Sequence, residues 1–177
     1  MKEYNLCTDN LREYCSKLRA GDKVYLSGTV YTARDAAHKR IFEYMQAEKE
    51  LPFDSENSVI YYAGPTPTPE NLPIGSCGPT TSKRMDSFAP TLYDMGLTAT
   101  IGKGERSEEV CKSIKRNNAV YLCAIGGAAA LAALRITECD VIAFEDLGCE
   151  SVKKLNFDNF PLIVAIDSSG GNIFKRD

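Results

Sequence analysis

The 177-residue chain has one histidine and no tryptophan, and none of its seven cysteines forms a CxxC pair. A lone histidine excludes a His-pair metal site, and the cysteines at 7, 15, 77, 111, 123, 139 and 149 match no ferredoxin-type run. Their odd number and apolar surroundings also argue against a disulfide framework and read as reduced thiols in a cytosol. No apolar run approaches the ~20 residues that span a bilayer: the longest are stretches such as Ala128 to Leu134, and Met1 to Leu18 is polar rather than signal-like. A cytoplasmic location without membrane contact is expected. An excess of positive charge is missing too, with 21 Lys and Arg against 24 Asp and Glu and a net charge of -3. The cations are spread along the sequence, so no nucleic-acid partner is expected. With no low-complexity tract, the length suits one domain over residues 1–177.

What is present is an alternation of strand and helix patterns. Asp9 opens a short helical stretch with Leu11, Cys15 and Leu18 on one face. Lys23 to Tyr31 reads as a strand and Ala33 to Lys49 as a helix, with Thr32 and Asp35 as its capping pair and Ala37, Ile41 and Met45 as its buried stripe. Ser58 to Ala63 is a second strand, followed by a proline-rich loop from Gly64 to Pro79, long enough to suggest a functional segment. A helix follows Gly78-Pro79, with Met85, Phe88 and Leu92 on its apolar face and Pro90 expected to kink or end it. Leu97 to Ile101 is strand-like, and Ser107 with Glu108 and Glu109 starts another helix. Ala119 to Ile125 is a buried strand running into a helix at "AAALAAL"; Val141 to Phe144, Leu162 to Ile166 and Asn172 to Phe174 are further strand candidates, with a short helix near Ser151. The pattern is that of an α/β domain with a mixed sheet and flanking helices.

Four strand-to-helix junctions carry unusual groups, and in open α/β folds such junctions line the carboxyl edge of the sheet, where ligands bind. "TARDAAH" places Arg34 in a first helical turn, where the helix dipole disfavours a cation: it is either swung into solvent or held for an anion. His38, one turn on, reads as a packed residue behind the site rather than a catalyst. "GPTTSKRMD" puts Thr80 and Arg84 four residues apart, neighbours on one helical face. One threonine suffices for an N-cap; the other hydroxyl, beside a guanidinium, would sit where a carboxylate binds. "TIGKGERS" sets Lys103 between glycines, and "AIGGAAA" offers bare backbone N–H groups, but neither completes a nucleotide-binding motif. Together Arg34, Arg84, Lys103 and Thr80 suit a small dicarboxylate gripped at both ends, with no acid pair or metal set in this chain.

"SGTVYTARDAAHKRI", "GPTTSKRMD", "IGKGERS" and "AVYLCAIGGAAALAA" resemble, in order from about Gly21 to Asn172, the β subunit or carboxyl-terminal domain of class I iron-sulfur fumarases and L-tartrate dehydratases. The resemblance implies a swivelling β/β/α domain that completes an active site with an α subunit carrying a [4Fe-4S] cluster on three cysteines. The assembly would be a hetero-oligomer such as α2β2, or a homodimer in isolation. It implies that Arg34, Arg84 and Lys103 bind substrate carboxylates and that Thr80 is the candidate base, and that the reaction is fumarate hydration to (S)-malate. Tartrate dehydration, or a non-catalytic dicarboxylate-binding module, is the alternative; "RMD" and "GERS" look more like the fumarase branch. Cys77 departs from the small residue usual before this Gly-Pro and reads as core filler, or as an oxidation-sensitive thiol near the cluster.

Overall fold

Alternation of side chains across each strand decides which residues meet, and here both faces of the central strands are apolar, as parallel sheets require. The computed structural model describes residues 1–124 and 129–175. Its strands are β1 (Glu3–Cys7), β2 (Lys23–Thr32), β3 (Val59–Tyr61), β4 (Ala99–Gly102), β5 (Val120–Ala124), β6 (Ile136–Ala143) and β7 (Val152–Ile166). The helices are α1 (Thr8–Tyr14), α2 (Asp35–Gln46), α3 (Ala89–Asp94), α4 (Glu108–Arg116) and α5 (Ala129–Ala133), with 3₁₀ turns at Ser82–Met85 and Glu145–Glu150. The strands form one mixed sheet in the order β1-β2-β3-β4-β5-β7-β6, with β2 also paired to β7. Neighbours from β1 to β5 are parallel, whereas β7 runs antiparallel to β2, β5 and β6.

Two buried clusters follow from the pleat. Val59, Tyr61, Ala99, Ile101, Val120 and Leu122 face α1, Phe157 and Phe160. Ile60, Tyr62 and Tyr121 face the other way, onto Ala37 and Ile41 of α2, Leu92 of α3 and Val110 and Ile114 of α4. In the first cluster the Tyr61 hydroxyl donates to the Cys77 carbonyl at 2.7 Å. Cys77 itself is fully buried, and burial pushes its thiol up to about 12. That environment is that of a filler, not of a reactive thiol.

Several expectations are corrected. β1 carries no strong sequence signal and forms because it pairs in register with β2 from Glu3↔Lys23 to Cys7↔Ser27. Thr32 does not cap α2: it ends β2, where its Oγ1 donates to the Ser151 carbonyl and accepts from Lys153 N, so the capping position falls to Arg34, without a side-chain bond. Met45 is only half-buried. The helix expected directly after Gly78-Pro79 is a 3₁₀ turn, and Pro90 neither kinks nor ends a helix but sits in the first turn of α3, where its missing N–H costs nothing. β7 is 15 residues long, ten more than the apolar core Leu162 to Ile166 indicates. The polar residues among those ten lie largely on the solvent side, with Lys154, Asp158 and Asn159 exposed. The strand expected over Asn172 to Phe174 reduces to a single bridge, Ile166↔Asn172. Ile125 and the "GGA" that follows lie outside the described residues.

Arg106 is the most constrained cation of the fold. Its side chain is fully buried, donating from Nε to Asp86 Oδ1 at 2.7 Å and from Nη1 to Thr100 Oγ1 at 3.0 Å, with the guanidinium over the rings of Tyr62 and Tyr121. Asp86 also accepts from Ser107 N at 2.5 Å, which ties the start of α4 to the segment before α3. Removing one partner of a buried ion pair leaves the other charge without compensation. Arg106→Met is therefore expected to lower the unfolding free energy by about 3 kcal/mol in urea titrations, and a loss below about 1 kcal/mol would show that the pair is not structural.

Candidate anion site at the carboxyl edge of the sheet

β2, β3 and β4 lie side by side and parallel, so all three deliver their carboxyl ends to one edge. β2 runs out through Ala33 into Arg34, β3 through Tyr62 and Ala63 into Gly64, and β4 into Lys103. The returning segment after the long loop is laced between the last two. Thr80 N donates to the Tyr62 carbonyl at 2.7 Å, Lys103 N to the Thr80 carbonyl at 3.2 Å, and Ser82 N to the Lys103 carbonyl at 2.9 Å. Ala63↔Pro79 and Thr81↔Lys103 bridges complete the strip. The seam needs Gly102, because a Cβ there would collide with Ser82 Oγ, itself hydrogen-bonded to the Tyr121 hydroxyl.

This lacing corrects the expected helical spacing of Thr80 and Arg84. Thr80 lies in an extended strip and only Ser82–Met85 is helical, so the two are not stacked one turn apart. Nor does either threonine act as a cap: Thr81 holds the capping position without a side-chain bond, and the Thr80 hydroxyl has no hydrogen bond among the described residues.

The two arginines converge. Arg84 Nε donates to Asp35 Oδ1 at 2.9 Å, while its Nη2 lies 2.9 Å from Asp35 Oδ2. Arg34 Nη2 lies 3.9 Å from the same Oδ2 and 3.7 Å from Glu150 Oε1. Its Nε is buried with no hydrogen-bond partner among the described residues, and a Cβ on Gly64 would come within 2.7 Å of its Nη1, so the glycine makes room for the guanidinium. Glu150 Oε2 accepts from Ala36 N at 2.8 Å, so a residue far along the chain satisfies a free N–H at the start of α2 and puts negative charge where the helix dipole favours it. The Lys153 ammonium holds the turn behind Glu150, donating to Ser151 Oγ at 2.6 Å and to the Gly148 and Cys149 carbonyls.

Lys103 belongs to the same edge through its backbone, but its exposed side chain lines a separate shallow cavity of about 230 Å³ with Cys123, Ala124, Ile163, Ile173 and Phe174. Thus the structure joins Arg34 to Arg84 through Asp35 and Thr80 to Lys103 through backbone bonds, and shows no direct contact between the two pairs. A second cavity, of about 550 Å³, shares Ala124 with the first and is mostly apolar, lined by Leu131, Leu134, Phe160 and Pro161 together with Arg135. Asp35 and Glu150 had no place in the sequence reading of the site. Asp35 stood there only as a capping partner, and nothing local marks Glu150, which lies 114 residues from the amide it caps.

His38 sits behind the arginines. It is wholly buried, packed against Phe88 and Tyr62, with Nδ1 2.8 Å from the Arg34 carbonyl. A carbonyl can only accept, so Nδ1 carries the proton of a neutral ring. Burial lowers its pKa to about 4, helped by Arg106 and opposed by the bond to Arg34. A folded pKa below the unfolded value means that the unfolded chain binds the extra proton first. The stability from a neutral His38 is therefore fully present above about pH 6.5 and lost as pH falls toward 4, by up to about 3 kcal/mol. Denaturant titrations from pH 7 to 4.5 should show this decline, and His38→Phe should flatten it; an equally steep variant would assign the slope elsewhere.

A mixed sheet with flanking helices, which brings Arg34 and Lys103 to the ends of parallel strands and laces the Thr80 segment to the same edge, places the chain in the α/β class. The chain belongs to the Fumarase C-terminus family, whose model matches residues 1–177. It is 42% identical over 166 residues to the "Putative L(+)-tartrate dehydratase subunit beta" of Methanocaldococcus jannaschii, covering 90% of this chain and 85% of that one. It is 39% identical over 170 residues to "Fumarate hydratase 2" of Leishmania major, covering 95% of this chain, and 37% identical over 163 residues to "Fumarate hydratase class I, anaerobic" of Escherichia coli, covering 91%. The chain spans only 30% of the length of either fumarate hydratase. Among the described residues, no helix is long and apolar enough to cross a membrane, and no group of three or more His, Cys, Asp or Glu could hold a metal ion.

Proposed function

We propose that the chain is the β subunit of a two-chain, cytoplasmic hydro-lyase that reversibly adds water to fumarate to give (S)-malate. The observation that carries this reading is the convergence of Arg34 and Arg84 on one carboxylate beside the Thr80 strip. Guanidinium forks match carboxylates in shape as well as charge, so the arginine donors that Asp35 leaves free suit a substrate carboxylate. Lys103, hydrogen-bonded to Thr80 through the backbone, would serve the second carboxylate. In the dehydration direction Thr80 Oγ is the candidate base for the carbon-bound proton. Its ionised form, which a free hydroxyl reaches only at high pH, would need a cation brought close to it in the assembled site.

The described residues do not fit the role of cluster ligands. The [4Fe-4S] cluster that the family resemblance implies would be held by an α subunit, and the substrate would lie between the chains. Coverage of only 30% of the fumarate hydratases agrees with a function divided between two parts, as does the word "subunit" in the name of the Methanocaldococcus relative. Exposed Leu131, Leu134, Ile173 and Phe174 supply apolar surface of the kind that a partner covers. A domain of this type would swivel to close on substrate, and the assembly would be α2β2.

Dehydration of L-tartrate to oxaloacetate is the second reading, favoured by the 85% length match to a tartrate dehydratase β subunit. The segments that lean toward fumarase do not separate the two, because Arg106 of "GERS" and Asp86 of "RMD" pair with each other in the interior. The deciding experiment is anaerobic co-purification with a cysteine-bearing partner chain, reconstitution with iron and sulfide, and assay of malate, fumarate and L-tartrate. The isolated chain should be folded and inactive and the complex active. Arg84→Ala should cut kcat/KM by at least about a hundredfold without changing the melting temperature. Full activity in that variant would remove Arg84 from the clamp, and dicarboxylate binding without turnover by any complex would favour a non-catalytic binding module.

A further inference from the structure

Arg84 is half-exposed, with its side chain 52% accessible, and Asp35 is the carboxylate it meets among the described residues. A long side chain at such a site normally samples many rotamers, and ordering it costs entropy that a surface ion pair barely repays. The contact here is more than a loose ion pair: Nε donates to Asp35 Oδ1 at 2.9 Å, and Nη2 lies 2.9 Å from Oδ2, a buried oxygen with no hydrogen-bond partner among the described residues. Asp35 is itself held in place. It is the first residue of the 12-residue helix α2, where the dipole favours negative charge, and Arg34 Nη2 lies 3.9 Å from its Oδ2. Engaging the Nε and Nη2 edge of Arg84 leaves the two N–H groups of Nη1 directed away from Asp35.

We propose that Asp35 is a positioning residue, the internal counter-ion that holds Arg84 beside Arg34 and leaves the Nη1 end of its guanidinium to a substrate carboxylate. This rests on the functional reading above only for the identity of the ligand. Glu150 complements the arrangement by balancing the charge of Arg34 and tying the start of α2. Two guanidinium groups that would repel each other are thus brought together before any ligand arrives, and the cost of ordering them does not fall on binding.

Two measurements test it. In ¹H–¹⁵N spectra of the full chain, with the Arg84 Nε–H signal assigned by its loss in Arg84→Lys, that signal should be resolved and slow to exchange in the wild type. In Asp35→Asn it should move to the envelope of free arginines. An unchanged signal overturns the proposal, whatever the reaction proves to be. In the reconstituted complex, Asp35→Asn should raise KM for the hydroxy diacid about tenfold, with a smaller fall in kcat. A merely structural role would reduce kcat through the active fraction and lower the melting temperature with KM unchanged; a fall in KM would make Asp35 a competitor of substrate. Either result overturns the proposal. Should asparagine prevent folding, Asp35→Glu keeps the charge but moves the carboxylate by one methylene, and it should still raise KM about threefold or more; an unchanged KM there also overturns it. A wild-type complex that turns over no hydroxy diacid defeats the functional reading instead, and the spectra then decide the role of Asp35.

Discussion

Parallel pairing of β2, β3 and β4 is the constraint on which the rest of the site depends. Because the three strands run the same way and lie side by side, their carboxyl ends share one edge, and Arg34, Gly64 and Lys103 are delivered to it by backbone geometry alone. The strip from Pro79 to Ser82 is then captured by that edge through hydrogen bonds to Tyr62 and Lys103, which carries Thr80 and Arg84 to the same place. A slip of one residue in this lacing would turn the Thr80 side chain to the opposite face, and the collision of any Cβ at Gly102 with Ser82 shows how closely the register is fitted.

Charge is balanced locally at this edge. Asp35 and Glu150 lie against Arg34 and Arg84, so the two guanidinium groups approach each other without net repulsion. A different solution serves the interior, where Arg106 is buried with Asp86, Thr100 and two tyrosine rings and takes no part in the edge. Arginines of similar appearance in the sequence thus divide into a structural one, satisfied on every side, and an edge pair with unspent donors. Only the second kind is available to a ligand.

Much of the fold was readable because local chemistry and tertiary context agree. Ala33 to Lys49 carries helix formers with an apolar stripe, and α2 lies within it, from Asp35 to Gln46. "AVYLCAI" is apolar without alternation, as a strand buried on both faces must be, and β5 occupies its centre. Misreadings arose where distant partners decide. β1 exists through its pairing with β2, and the first ten residues of β7 exist through pairing with β2 and β6. Thr32 and Asp35 have the spacing of a cap, but a partner on β7 claims Thr32, and Arg84 claims Asp35.

By itself the sequence determined the α/β class, the succession of strands and helices, and the short list of cations and hydroxyls at strand ends, because side-chain periodicity and turn chemistry are local properties. The tertiary structure alone decided which of those groups meet. Arg34 and Arg84 face one carboxylate, Thr80 is bonded to Lys103 through the backbone, Arg106 is withdrawn into the core, and Glu150 reaches an amide 114 residues away. The reason is that an ion pair or a strand register depends on separation in space, which folding sets and residue spacing along the chain does not.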